Sequence, residues 1–165
     1  MIEELERPIN YLCSIGADKL RHSKGTLLEH LIGTSNILNN FGRPAVELKA
    51  GLFHSIYGTA YYKDSKSFLV EREEIQSIIG IEAEVLVNIF CKKKDRINSI
   101  INNNTLSDPW ITQLRWIEFA NLLEQRPSMR SDTIINDFDL SSENINDFDL
   151  SSENINKLGV LLNVV

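Results

Sequence analysis

A chain of 165 residues is about one domain's worth of polypeptide, enough to bury a single sizeable core. Hydrophobic residues make up 42%, and no apolar run approaches the roughly 20 residues that span a bilayer, so a soluble chain with no membrane partner is expected. The formal charge of -6 is local: residues 135–154 hold Asp137, Asp139, Glu143, Asp147, Asp149 and Glu153 and no base, leaving 17 acids against 17 bases elsewhere. A neutral body of this kind lacks the basic field of a nucleic-acid binder.

The opening "MIEELERP" is acidic where a secretory signal would be basic and then apolar, which predicts a cytoplasmic protein. Cys13 and Cys91 stand far apart in no CxxC pattern, as expected of reduced thiols. Both are expected as small core residues.

In chain order the signals are helical. Pro8 suits a helix start, Ile9, Leu12 and Cys13 follow at i, i+3 and i+4, and Gly16 supplies a stop. In "TLLEHLIGTSNILNNFG", Thr26 and Glu29 have capping-box spacing and Gly42 sits where a left-handed cap belongs. Pro44 predicts the start of a third helix, running through "AVELKAGLFHSI" to Tyr57 and ended by Gly58. "VEREEIQSIIG" and "IEAEVLVNIFCKKK" give two more, the latter with Ala83, Leu86, Val87 and Phe90 on one face. Asp108 and Pro109 read as N-cap and N1 of a long helix through "PWITQLRWIEFANLLEQ", closed by Pro127.

At least five helices with short links and no alternating strand predict an all-α bundle. Residues 1–126 form the helical domain and 127–165 a C-terminal extension. Within the extension "INDFDLSSEN" at 135–144 recurs unchanged at 145–154, a period too short for a solenoid and best read as a local duplication. Its carboxylates lack the glycine and closing glutamate of a calcium loop. The final "SSENINKLGVLLNVV" fits either an amphipathic helix or an apolar tail.

Three histidines stand out. His30 shares a helical face with Leu27, Thr34, Ile37 and Phe41, and His54 shares one with Ala50 and Tyr57, so both imidazoles are expected to point inward. On the late helix the inward stripe Trp110, Leu114, Ile117 continues to Asn121 and Glu124. Buried imidazoles and amides are costly unless paired, so three on separate helices predict a polar pocket. The bland alternative is that each is a hydrogen-bonded core residue.

"LLEHL" at 27–31, "KAGLFHSIYGT" at 49–59 and "FANLLEQ" at 119–125 together resemble the HD-domain superfamily of helical metal-dependent phosphohydrolases. The closer resemblance is to an uncharacterised HD-like branch in which the His-Asp pair reads His-Ser and "YGT" follows; "IGIEAEVLVNIFCKKKDR" fits that branch too. The resemblance covers roughly residues 20–126 and implies an HD-like bundle. It matches His30 to the family's first metal-binding histidine and His54 to the histidine of the signature pair. Ser55 and Asn121 stand where that family has its two aspartates.

Two neutral imidazoles with a hydroxyl and an amide make a poor site for magnesium or manganese. Zinc or iron would need a carboxylate added to His30 and His54, and Glu118 and Glu124 flank Asn121 at i-3 and i+3. His22, in "RHSKGT", reads either as an extra ligand of the kind some superfamily oxygenases use or as a loop residue at the pocket mouth. Gly25 and the helix start beside it offer backbone donors to an anion.

The cluster Lys92, Lys93, Lys94 and Arg96 reads first as the solvated, dipole-favoured end of a helix. His54 and Ser55 are adjacent, about 100° apart on a helix, which argues against a serine nucleophile with its base.

The resemblance implies an enzyme, a hydrolase, that acts on a small polar or phosphorylated molecule. His54 and His30 would serve as acid-base or metal-binding groups, and His22, Ser55, Tyr57, Thr59 and Asn121 would orient the substrate. The alternative is a non-catalytic small-ligand-binding or regulatory domain that lost the metal chemistry. The expected partner is a small molecule, and a homo-oligomer stays open.

Overall fold

The computed structural model describes residues 3–22, 25–58, 70–102, 110–125 and 148–162. A 3-10 turn at Glu3–Leu5 leads into α1 (Glu6–Ser14). Pro8 is therefore the third residue of the helix and not its first, still within the turn whose N–H groups have no helical partner. Gly16 then turns the chain with φ +89°. A two-residue antiparallel hairpin, β1 (Arg21–His22) and β2 (Gly25–Thr26), pairs Arg21 with Thr26 and His22 with Gly25. Its strands are too short to show an alternating pattern in sequence.

The capping box expected of Thr26 and Glu29 forms in full. The Thr26 hydroxyl accepts from the Glu29 amide at 3.2 Å, and the Glu29 carboxylate accepts from the Thr26 amide at 2.8 Å. The latter bond uses one of the backbone donors that an anion would need. From this cap α2 (Leu27–Asn40) runs through the centre of the molecule to Gly42 at φ +66°.

Pro44 is the N-cap of α3 (Ala45–Phe53), which packs on α2 and α6. Gly51 makes the α2–α3 approach close, because a Cβ there would lie 2.5 Å from a Leu38 methyl. The sequence predicts α3 continuing to Tyr57, but it stops at Phe53. His54 Nδ1 lies 2.7 Å from the Gly51 carbonyl, the acceptor that a continuing α-helix would give to the Ser55 amide. The chain then tightens through bonds from Ile56 to Phe53 and from Gly58 to Ser55, with Gly58 at φ +75°.

After α4 (Arg72–Ile79), Gly80 at φ +90° turns the chain into α5 (Ile81–Lys92). Ala83, Leu86, Val87 and Phe90 form its buried face as expected. A π-helical turn at Ile97–Ile101 sets Ile100 and Ile101 into the core. Of the predicted stripe, α6 (Ile111–Gln125) buries Leu114, Ile117 and Asn121, while Trp110, just before the helix, and Glu124, near its end, are partly buried. Asp108, Pro109 and Pro127 lie outside the described residues.

The chain end is resolved in favour of a helix, α7 (Phe148–Leu161), which packs on α6 and the π-turn with Ile155 and Leu158 in the common core. It begins inside the second copy of the duplicated segment; the first copy lies outside the described residues. The fold is thus all-α apart from the small hairpin, with seven α-helices among the described residues. None of those helices is long and apolar enough to cross a membrane.

One expectation is corrected. Cys13 is exposed, not core: α1 buries Pro8 and Leu12, four apart, and Cys13 sits about 100° round from Leu12. Cys91 is partly buried, and its thiol donates to the His54 carbonyl at 3.1 Å.

Replacing Thr26 with alanine should lower unfolding stability by about 1 kcal/mol, measured by urea denaturation. An unchanged midpoint and slope would show that the cap contributes nothing to α2.

Candidate active site

The three histidines come together. His30 Nε2 lies 3.2 Å from His54 Nε2, with the rings edge to face at 76° and centroids 5.0 Å apart. His22, brought over by the hairpin, stacks on His30 with centroids 4.3 Å apart and planes 19° from parallel. His30 and His54 are 3% and 2% exposed, whereas His22 is half-buried.

Protons in this cluster can be assigned from its partners. A carbonyl oxygen only accepts, so His54 Nδ1 donates to Gly51. Burial, aided by the neighbouring His30, pushes His54 well below the ordinary histidine range, so its Nε2 holds a lone pair at neutral pH. His30 Nε2 must then be the donor across the 3.2 Å contact. The other nitrogen of His30, Nδ1, bonds the Glu124 carboxyl from α6. His30 is thus engaged at both nitrogens, with Glu124 at one and His54 at the other. His22 is also lowered, first by burial and then by His30.

Glu124 reaches His30 by crossing α2 over Gly33, where a Cβ would meet the Glu124 Cγ at 2.7 Å. His30 and Gly33 are three apart on one helix, so "HLIG" supplies both the imidazole and the groove for its carboxylate.

The other expected site residues have other partners. Asn121 is buried on α6; its amide donates to Glu118 at 3.2 Å, and its oxygen accepts from Gln125 at 2.9 Å. Glu118 is raised by burial and pairs with Arg96 at 3.0 Å. Arg96 therefore leaves the lysine cluster and turns inward, over the Phe90 ring that also meets the His54 edge. Tyr57 donates its hydroxyl to Glu84 at 2.9 Å. Ser55 is buried, and Thr59 lies outside the described residues.

Glu84 anchors a network not anticipated from the sequence. Its fully buried carboxylate accepts two bonds of 2.7 Å from Arg72 and one of 3.0 Å from Gln76, besides that of Tyr57. Burial alone would raise its pKa, but these donors outweigh it and hold it low. Arg72 and Gln76 are four apart on α4, the only signal of the network visible in sequence. It ties α4 and α5 to the turn that carries His54. Burial also pushes the Cys91 thiol up to about 12, which removes it as a nucleophile.

A metal fits poorly. His30 and His54 offer two nitrogens, but Glu124 is bonded to the far nitrogen of His30 and Glu118 to Arg96. Among the described residues no group of three or more histidine, cysteine, aspartate or glutamate side chains is arranged to hold an ion. What the cluster can do is move a proton between two adjacent imidazoles.

Residues 11–96 match the model of a domain of unknown function, DUF6817, and the chain belongs to that family. No curated protein and no solved structure matches it. The matched region contains all three histidines, while α6 with Glu124 lies beyond it.

Two predictions test the geometry. Glycine to alanine within a helix ordinarily stabilises by about 0.5–1 kcal/mol, but Gly33→Ala should destabilise. In the Glu124→Ala background the ordinary gain should return, a sign change read by chemical denaturation as a double-mutant cycle. A stabilising Gly33→Ala in the parent chain would contradict the close crossing. Second, a lowered histidine pKa means that the unfolded chain takes up protons first. Stability should be full above pH 6.5 and fall below it by as much as about 1.4 kcal/mol per pH unit for each such histidine. His54→Gln should flatten that slope, and an equal slope in the variant would place the effect elsewhere.

Proposed function

We propose that this chain is an HD-like acid-base enzyme, a hydrolase that acts on a small polar or phosphorylated molecule. His54 and His30 are its proton-transferring pair. The observation that carries the reading is the bonded order Glu124, His30, His54, Gly51, in which an imidazole poised to accept faces an imidazole poised to donate. A substrate entering between them replaces one hydrogen bond with two. His54 Nε2 takes a proton from the attacking water, and His30 Nε2–H gives one to the leaving oxygen. Afterwards His54 returns its proton to His30 across the same gap, so the pair ends as it began.

Glu124 holds the His30 ring in the donating orientation. His22, stacked and half-buried, is the member nearest solvent and orients the substrate together with Ser55. The resemblance of "LLEHL", "KAGLFHSIYGT" and "FANLLEQ" to HD proteins supports hydrolytic chemistry, and Ser55 and Asn121 in place of two aspartates support a form that works without a metal.

One observation favours a second reading. His30 and His54 are almost fully enclosed, as suits a non-catalytic domain that retains a small ligand.

The test is a screen of phosphorylated and other small polar esters after chelator treatment. Turnover should fall by roughly 10²–10⁴ in His54→Ala and in His30→Ala. Full turnover by His54→Ala would overturn the acid-base assignment. A small molecule carried through purification without any turnover would establish the binding domain instead.

A further inference from the structure

The proposed chemistry uses one face of α2; a cavity of about 390 Å³ opens on the other. It is lined from α2 by Ile32, Ser35, Asn36 and Asn39, and at 100° per residue these lie nearly opposite His30, Thr34 and Ile37. Leu5, Ile9 and Leu52 complete its aliphatic floor from the N-terminal turn, α1 and α3. The volume is at the lower end for small-molecule pockets and equals about thirteen waters at roughly 30 Å³ each.

The lining selects a chemistry. It contains no lysine, arginine, histidine, aspartate or glutamate, so neither an anion nor a cation would find a counter-charge. Ser35 already donates its hydroxyl to the Leu48 carbonyl at 3.0 Å and can only accept. Asn36 and Asn39, one turn apart, make no side-chain hydrogen bond to the described residues, so each carboxamide offers a donor and an acceptor side by side. The natural complement to such an edge is another amide.

We infer that this cavity binds a small uncharged molecule that carries an amide, lactam or imide edge on an aliphatic body. The amide edge pairs with Asn36 and Asn39 while the aliphatic part covers Leu5, Ile9, Ile32 and Leu52.

The experiment titrates isotopically labelled full-length protein with ε-caprolactam, followed by NMR. Cyclohexanecarboxylate and cyclohexylammonium serve as charged probes of similar size. The lactam should give saturable shifts centred on Ile32, Asn36, Asn39 and Leu52, with a Kd of roughly 1 mM as suits so small a ligand. Asn36→Ala combined with Asn39→Ala, both exposed positions, should weaken binding about tenfold. His54→Ala should leave it unchanged, so the fate of this site is read separately from that of the histidines. Equal binding of the charged probes, an unaffected double variant, or shifts that never saturate would each overturn the assignment.

Discussion

The hydrogen bond between two buried imidazoles is the constraint around which this fold is arranged. A polar ring enclosed without a partner costs several kcal/mol on apolar transfer scales, so His30 and His54 can sit in the core only if every ring nitrogen is engaged. Each is: Glu124 and Gly51 take the two outer nitrogens, and the inner pair bond to each other. That requirement fixes α2, α3 and α6 relative to one another, and glycines stand where the approach is closest. Gly51 admits Leu38 between α2 and α3, and Gly33 admits the Glu124 stem between α2 and α6. The same bond explains why α3 ends early, since the His54 ring takes the carbonyl that the next turn would have used.

The surrounding charges act on this centre without joining it. Glu84, with donors from Arg72, Gln76 and Tyr57, holds the turn after His54 against α4 and α5. The Cys91 thiol holds that turn by the His54 carbonyl. Arg96, paired with Glu118, adds positive potential near His54 and so helps to keep that ring neutral. Breaking a buried pair leaves an uncompensated charge, so these clusters make the position of His54 expensive to change.

Much of the scaffold was legible in the residues because it depends on local chemistry. Thr26 with Glu29, Gly42, Gly58 and Gly80 act within a few positions of themselves, and the apolar stripes of α2, α5 and α6 follow helical periodicity. The inward turn of His30 and His54 followed from the same periodicity. What could not be read depends on pairs distant in sequence: Tyr57 with Glu84, Arg96 with Glu118, and His22 laid on His30 by strands two residues long. Asn121 shows the limit well. Its burial was predictable from the stripe, but its partners Glu118 and Gln125 lie on its own helix. Glu124 is the converse, a residue at the edge of the pattern whose bond to His30 spans 94 positions.

Membership of a family without an assigned function makes the proton arrangement the firmest guide to chemistry. It is directly measurable by long-range 15N NMR of the imidazoles at neutral pH. His54 should be protonated on Nδ1 alone, with a scalar coupling between the two Nε2 nuclei transmitted through the shared proton. A His54 ring carrying its proton on Nε2, or the absence of any coupling between the two rings, would contradict it.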